Sequence, residues 1–470
     1  MKTHDETTMS LRLVHSAFSR EQALTDLDSF RRELAAAAAH TYTLTERVPL
    51  HNLTEWRMDR RDGVIRHRSG KFFTVQGIDV DVAGAAIPHW DQPIINQPEV
   101  GILGILMKEF DGVLHCLMQF KAEPGNCNGI QVSPTVQATR SNYTRVHGGS
   151  AVPYLDYFLD RSRHRVVLDS RQSEQGSWFL RKLNRNMIIE VSEPVEVVEG
   201  FHWLTLAQLN ELLFTDDVIN MDARSVLSCL PFTDVVLDQH GSAHTMVDLL
   251  SWITERRSTV DVTVRQRPLH RLSQWRYNGA EFSHVNSRFF DVIGVRVEAR
   301  GREVGQWDQP MLAARGTGLV AFLTTRLDGV PHVLVQARVE PGFADFVQLA
   351  PTVQCIPDNY RDAPRADWPP FLADVLDADR RTVRYDAVQS EEGGRFHHIR
   401  SRHLLVEADA VPEHPDFRWM TPHQLTRLLW HSNYVNIQAR SLLACLRAVT
   451  SVGPVANPRP AAAAPLGRAA

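Results

Sequence analysis

Two stretches of this chain concentrate side chains able to hold, move or donate protons. Lys121 to Arg145 reads KAEPGNCNGIQVSPTVQATRSNYTR, and Ser173 to Asn186 reads SEQGSWFLRKLNRN. They bring together carboxyl, ammonium, guanidinium, phenol, amide and hydroxyl groups, a mixture that serves proton transfer and the hydrogen bonding of a polar ligand. The first directly follows an apolar strand pattern, the position from which a sheet offers a recognition loop. Familiar alternatives are missing: the chain has no GxGxxG after a first strand, no P-loop, no GxSxG and no HExxH. It therefore gives no sign of a nicotinamide, a flavin or a bound metal. His397 and His398 are adjacent, and on a strand such neighbours point to opposite faces, which argues against a metal there.

Both stretches return later in altered form. WDQPIINQPEVGILGILMKEFDGVLHCLMQFKAEPG (Trp90 to Gly125) reappears as WDQPMLAARGTGLVAFLTTRLDGVPHVLVQARVEPG (Trp307 to Gly342), an offset of 217 residues without a gap. That period is too long for a solenoid unit and marks duplication of a whole domain. The copies act as controls on each other. Both keep Asp91/Asp308, Gln131/Gln348, Gln137/Gln354, Tyr143/Tyr360, Glu174/Glu391, Arg185/Arg402 and Arg224/Arg440. The second copy puts Phe343 for Asn126, Ala350 for Ser133, Pro357 for Arg140 and Ile399 for Lys182, with Phe346 opposite Gly129. One simple account is two sites of common ancestry, of which only the first keeps its full chemistry. Trp90 and Trp307 read as core, and Asp91 before Gln-Pro reads as holding a turn.

The elements that must position these residues follow from the pattern. Residues 20 to 40 predict a helix, and HTMVDLLSWITERR (His244 to Arg257) predicts its counterpart. Short strands lie between, with Asp111–Gly112 and Asp328–Gly329 as hairpin turns. WLTLAQLNELLF and WMTPHQLTRLLW predict closing helices capped by Thr205 and Thr421, each followed by a shorter helix. Each unit is α+β, a mixed curved sheet with packed helices. The boundaries expected are an extension over 1–19, a first repeat over 20–236, a second over 237–451, and a disordered Pro/Ala-rich tail over 452–470.

Totals narrow the class. The chain has 470 residues, 43% apolar and 23% charged, with a net charge of −4. This describes a globular protein with no case for nucleic acid. Five cysteines without CxxC spacing make disulfides and a zinc site unexpected. The N-terminus lacks an apolar h-region and no stretch approaches 18 apolar residues, so a cytoplasmic protein without membrane association is expected.

The blocks WDQPIINQPEVGILG, MQFKAEPGNCNGIQVSPTVQATRSNYTRVHGG, QSEQGSWFLRKLNRNM and NMDARSVLSCL, with EPGFADFVQLAPTVQC, SEEGGRFHHIR and NIQARSLLACL, resemble the NDP-hexose 2,3-dehydratase family over about residues 20 to 450. The resemblance implies tandem Nudix-like domains, a nucleotide-sugar pocket in each half, and a homodimer. The implied substrate is dTDP-4-keto-6-deoxyglucose, and the implied reaction loses the C2 hydroxyl as water. A separate NAD(P)H-dependent 3-ketoreductase would act on the product. The metal box of the wider Nudix family is absent from both copies, which fits an enzyme that leaves the diphosphate intact.

On that reading Glu123, Tyr143 and Glu174 are the acid/base candidates. Lys121, Arg140 and Lys182 are candidates for steadying an enolate or the diphosphate. Asn126, Asn128, Gln131, Ser133, Gln137, Asn142, Trp178, Asn184, Arg185 and Arg224 are candidates for the sugar hydroxyls and the base. The second pocket would comprise Arg338, Glu340, Gln348, Gln354, Tyr360, Glu391, His398 and Arg402. Two readings of other classes stand beside it: a non-catalytic nucleotide-sugar binding protein and a metal-dependent nucleoside diphosphate sugar hydrolase. Incubation with dTDP-4-keto-6-deoxyglucose separates them, since unchanged sugar marks the binder and released dTMP the hydrolase. Turnover is expected to survive EDTA, because neither copy carries metal carboxylates at ligand spacing. Loss on chelation, restored by magnesium or manganese, would contradict this.

Overall fold

A computed structural model of the chain describes residues 2–139, 152–160, 162, 164–232, 241–300, 305–409 and 414–453. Arg140, Asn142 and Tyr143 lie outside the described residues, as do the tail from 454 and part of the expected repeat boundary. Alternating and continuous apolar runs build a mixed seven-stranded sheet in each half. In the first, Gly101–Phe110 and Val113–Ala122 form a hairpin whose two-residue turn places Asp111 at φ 47° and Gly112 at φ 81°, the left-handed geometry an Asp-Gly turn supplies. Leu183–Val191 runs parallel to Gly101–Phe110, and Arg165–Ser173 lies antiparallel outside it. The second half repeats this order with Gly318–Leu327, Val330–Val339, Arg400–Glu407 and Val383–Ser390.

The helices follow their caps. Asp26 accepts from Ser29 N at the start of Leu27–His40, so residues 20 to 25 stay outside the helix expected there. Thr205 and Thr421 form capping boxes with Gln208 and Gln424. Trp203 and Trp419 belong to the preceding strands, Phe201–Thr205 and Phe417–Met420, because their backbones pair with the hairpins. The expected N-terminal extension is itself a helix, Lys2–Phe18. Its Met9, Leu13 and Ala17 are buried, and its Ser16 Oγ accepts from Leu206 N at 3.0 Å.

Besides a smaller apolar cluster of its own in each half, the two halves share a core. One apolar cluster runs from Leu103, Ile105 and Leu114 through Leu209 and Val226 to Phe322, Val335 and Leu442. Each half also lends its opening strand to the other. Tyr42–Val48 pairs with Phe290–Arg300, and Val262–Arg267 pairs with Thr74–Val82. Asp91 therefore holds no local turn. Its carboxylate accepts from Ser273 N at 2.6 Å and Ser273 Oγ at 2.7 Å, while Asp308 accepts from Thr54 N and Oγ1 at the same distances.

Arg224 and Arg440 tie the helices Met221–Ser228 and Ile437–Val452 together. Arg224 Nε donates to Ser441 Oγ at 2.7 Å and Nη2 to Ser390 O at 2.6 Å, with Nη1 on Ile219 O. Arg440 reciprocates on Ser225 Oγ at 2.9 Å, Ser173 O at 2.6 Å and Val435 O at 2.7 Å. Burial lowers the pKa of both guanidiniums. Hydrogen bonds involving a charged donor contribute about 1.5–3 kcal/mol each. Arg224→Met or Arg440→Met is expected to lower the unfolding free energy by about 3 kcal/mol or more. The expected denaturation is still a single transition, because the halves share a core. Urea titration followed by fluorescence and circular dichroism checks this, and two separated transitions would contradict the shared core.

Candidate active site

The hairpin Gly101–Phe110/Val113–Ala122, the loop after it, the start of Leu183–Val191 and the first turn of Met221–Ser228 converge at one end of the first sheet. Lys121 sits at the strand end with Nζ 4.0 Å from Glu123 Oε1 and 3.2 Å from the Gln137 carbonyl, to which it donates. Gln137 Nε2 donates to Glu123 at 3.0 Å, and its own oxygen accepts from Ser133 Oγ at 2.8 Å and Asn220 Nδ2 at 3.2 Å. Asn184 Nδ2 donates to Glu174 Oε1 at 2.7 Å. Lys182 Nζ donates to the Glu99 carbonyl.

Desolvation dominates the electrostatics. Burial raises the Glu174 pKa against Arg440 and Lys182, which oppose it. Burial, and then the Glu174, Glu392 and Glu123 charges, push Asp222 well above the carboxylate range. Burial lowers Lys182 to about 8, with Glu174 working the other way. Buried Glu174 Oε2, Asp222 Oδ1 and Asn126 Oδ1 have no hydrogen-bond partner among the described residues. A buried polar atom in that condition is a place for a ligand group.

The second half completes this site. Gly125 N donates to Gly393 O at 2.7 Å, and His398 N donates to Gly125 O at 3.0 Å. A Cβ at Gly125 would lie 1.7 Å from Phe396 O, so only glycine permits the approach. The loop so clamped carries Glu392 and Arg395 beside Glu123. Arg395 Nε donates to Gln97 Oε1 at 3.1 Å and lies 4.2 Å from the Phe73 ring centroid.

The equivalent place in the second half carries fewer ionisable groups. Glu340 Oε1 accepts from Arg338 Nε at 2.8 Å and from Gln354 Nε2 at 3.0 Å. Asn436 donates to Gln354 at 2.8 Å, and Glu391 accepts from Gln175 and Ser401, each at 2.9 Å. Gln438 replaces Asp222, Ile399 replaces Lys182, Gln175 replaces Glu392 and Trp178 replaces Arg395. Phe343 is buried where the first half has Asn126.

The candidates read from the sequence thus divide. Lys121, Glu123, Asn126, Ser133, Gln137, Glu174, Lys182 and Asn184 come together. Arg224 does not offer itself to a ligand: it is fully buried and bonded to the other half. Gln131 Nε2 donates to Ser390 Oγ at 2.8 Å, and Gln348 accepts from Ser173 Oγ at 2.6 Å, so both also bridge the halves. Arg185 and Arg402 form two-point pairs with Asp169 and Asp386 on neighbouring strands, from 2.6 to 2.8 Å, a structural role kept in both copies. Asn128 donates to Asp217 O at 2.9 Å and lines a mainly apolar hollow with Leu34, Ile130 and Leu212. Trp178 packs on Phe396 at 4.9 Å, against an apolar cluster that both halves share. Tyr360 is half-buried near Arg338, its pKa raised by burial. His397 and His398 do not alternate across a strand; His398 has φ 55° and the rings stack at 4.0 Å. Among the described residues a possible metal grouping is Asp79, Asp81 and His89, whose carboxylates already meet Arg267 and Arg265.

Asp222, Glu392 and Arg395 do not stand out in the sequence as site residues. The signal for them lies in the copy comparison, where NMDAR becomes NIQAR and SEQGSW becomes SEEGGR.

Among the described residues no helix is long and apolar enough to cross a membrane. The sequence profile of the NDP-hexose 2,3-dehydratases matches residues 27–230 and again 246–446. The chain is 50% identical to a dTDP-4-dehydro-6-deoxy-alpha-D-glucopyranose 2,3-dehydratase of Amycolatopsis orientalis, over 86% of this chain and 87% of that one. It is 46% identical to proteins of the same name from Saccharopolyspora spinosa, over 94% and 96%, and Streptomyces violaceoruber, over 92% and 99%. With two matched segments spanning both halves and the identity sustained along the chain, it belongs to the NDP-hexose 2,3-dehydratase family.

Proposed function

We infer that this chain is a hydro-lyase that takes the C2 hydroxyl from dTDP-4-keto-6-deoxyglucose as water and yields a 3,4-diketo-2,6-dideoxy sugar. The observation that carries the reading is the desolvated cluster in the first site, where Lys121, Lys182, Asp222 and Glu392 join Glu123 and Glu174; the second site keeps only the last two carboxyls, as Glu340 and Glu391, with Arg338. The chemistry asks for what this cluster holds. The 4-keto group acidifies the C3 proton. The Glu123 carboxylate, hydrogen-bonded by Gln137 and beside Lys121, takes that proton, and the electron pair moves to the C4 oxygen. Lys182 or Lys121 gives the developing enolate a cationic donor in a dry setting. The enolate returns its electrons, the C2–O bond breaks, and the oxygen leaves as water after gaining a proton. The resulting C2=C3 enol takes a proton at C2 and loses the C3 hydroxyl proton. The net change is loss of one water, with no redox partner needed.

The mixed sheets and their helices support a Nudix-like description of each half. The labile diketone calls for a 3-ketoreductase as the next enzyme. A homodimer is also part of this reading. The closing helices pack the two halves on each other, whereas helix Lys2–Phe18 leaves Leu11 and Phe18 65% and 59% exposed.

Glu123→Gln and Lys182→Met are expected to lower kcat about 10²–10⁴-fold, the range for a lost proton-transfer group. Glu340→Gln in the second site is expected to leave kcat nearly intact. Steady-state assays of product trapped as a stable derivative decide it: the reverse pattern places the productive site in the second half. Light scattering is expected to give about twice the 53.2 kDa chain mass. A clean monomer at working concentration contradicts the dimer.

A further inference from the structure

The loop Ser390–His398 belongs to the second half in sequence and to the first site in space. Gly393 packs so closely on the first half that a Cβ there would meet Asn126 Oδ1 at 2.3 Å and Glu123 Cβ at 2.8 Å. Glu392, one residue earlier, is fixed by its own turn: Oε1 accepts from Gly394 N at 2.8 Å and Oε2 from Arg395 N at 2.9 Å. Arg395 is anchored in turn on Gln97 and Phe73 of the first half. Glu392 is half-buried beside the buried Glu123, Glu174 and Asp222.

We propose that Glu392, delivered by the second repeat, is the acid that protonates the departing C2 hydroxyl in the first site, so that the working site is shared between the two halves. This rests on the dehydratase reading. The proton moves from the Glu392 carboxyl to the C2 oxygen as the C2–O bond breaks, and water leaves. Glu392 is left as a carboxylate and is reprotonated as the C3 hydroxyl loses its proton on tautomerisation. The charges that act on it come from Glu123 at the hairpin end, Glu174 and Lys182 before Leu183–Val191, Asp222 on the helix and Arg395 in its own loop. Burial, and then the Glu123 charge, raise the Glu392 pKa to about 7, with Arg395 opposing. A group poised there is matched to acid catalysis at neutral pH. The other site has Gln175 at this position, which has no such proton to give.

The sign follows. An acid must carry its proton, so kcat should fall as pH rises through about 7. In the full chain, Glu392→Gln is expected to lower kcat by about 10²-fold or more with a smaller change in KM, and to abolish that limb. Arg395→Met removes a cation that favours the carboxylate, so the limb should move to higher pH. A Glu392→Gln enzyme with wild-type kcat and an unmoved limb would overturn the proposal, while its continued turnover would leave the dehydratase reading standing. If Glu392→Gln does not fold, an unmoved limb in Arg395→Met overturns it equally. Absence of any dehydration by the wild-type chain would instead remove the reading beneath it.

Discussion

Everything in this fold that concerns chemistry depends on the two halves being held in one register, and the reciprocal pair Arg224 and Arg440 sets it. Each guanidinium is buried, each crosses to a serine hydroxyl on the opposite helix, and each ends on the backbone carbonyl of a Ser-Glu loop in the other half. Removing such charges from water is costly, and the cost is met only if nearly every N–H finds an acceptor in good geometry. That condition admits little sliding. The exchanged strands and the Asp91 and Asp308 clasps repeat the constraint at the other end of the molecule. With the register fixed, the loops bearing Glu174 and Glu392 have fixed positions as well.

The same scaffold then carries two electrostatic outcomes. In the second half, Arg338 and Gln354 both donate to Glu340 Oε1, while Oε2 has no partner among the described residues, and Glu391 is answered on both oxygens, by Gln175 and Ser401. In the first, Asp222 and Glu174 each retain a buried oxygen without a partner among the described residues. A folded chain tolerates unsatisfied acidic groups when they stay protonated or when a ligand completes them. Burial is the largest cause of the raised Glu174 and Asp222 carboxyls and of the lowered Lys182, with neighbouring carboxylates adding to it at Asp222. Stability lost at this site is therefore tied to the reactivity gained there.

Much of this is legible in the sequence where the signal is local. Repeat offset, Asp-Gly turns and capping threonines each depend on a few adjacent residues, and so they read correctly. The loop of Lys121, Glu123, Gln137 and Glu174 emerges because polar residues kept after a buried strand stand out. Long-range pairing leaves no such mark. Nothing in YTLTERV says that it will pair with FDVIGVRVEAR of the other half rather than with its own. Arg224 reads like a ligand-binding arginine, since its type and its presence in both copies fit that role as well as a structural one. Glu392 is hidden for a related reason. Its position is in the second copy, and only the docking of Gly125 on Gly393 assigns it to the first.

That docking also shows what each copy contributes to the other. Gly125 and Gly342 approach the opposing loop so closely that no side chain fits, in both directions. The contact is symmetric, yet what it delivers is not: Glu392 and Arg395 go one way, Gln175 and Trp178 the other. The second half serves the first as a wall, as a strand donor and as the source of the loop that carries Glu392 and Arg395. Once two copies are interlocked by exchanged strands and buried arginines, neither can be deleted without exposing the core of the other. Specialisation within the pair then proceeds by substitution at the rim of each site, as Asp222 against Gln438 and Lys182 against Ile399 record, while the shared interior holds still.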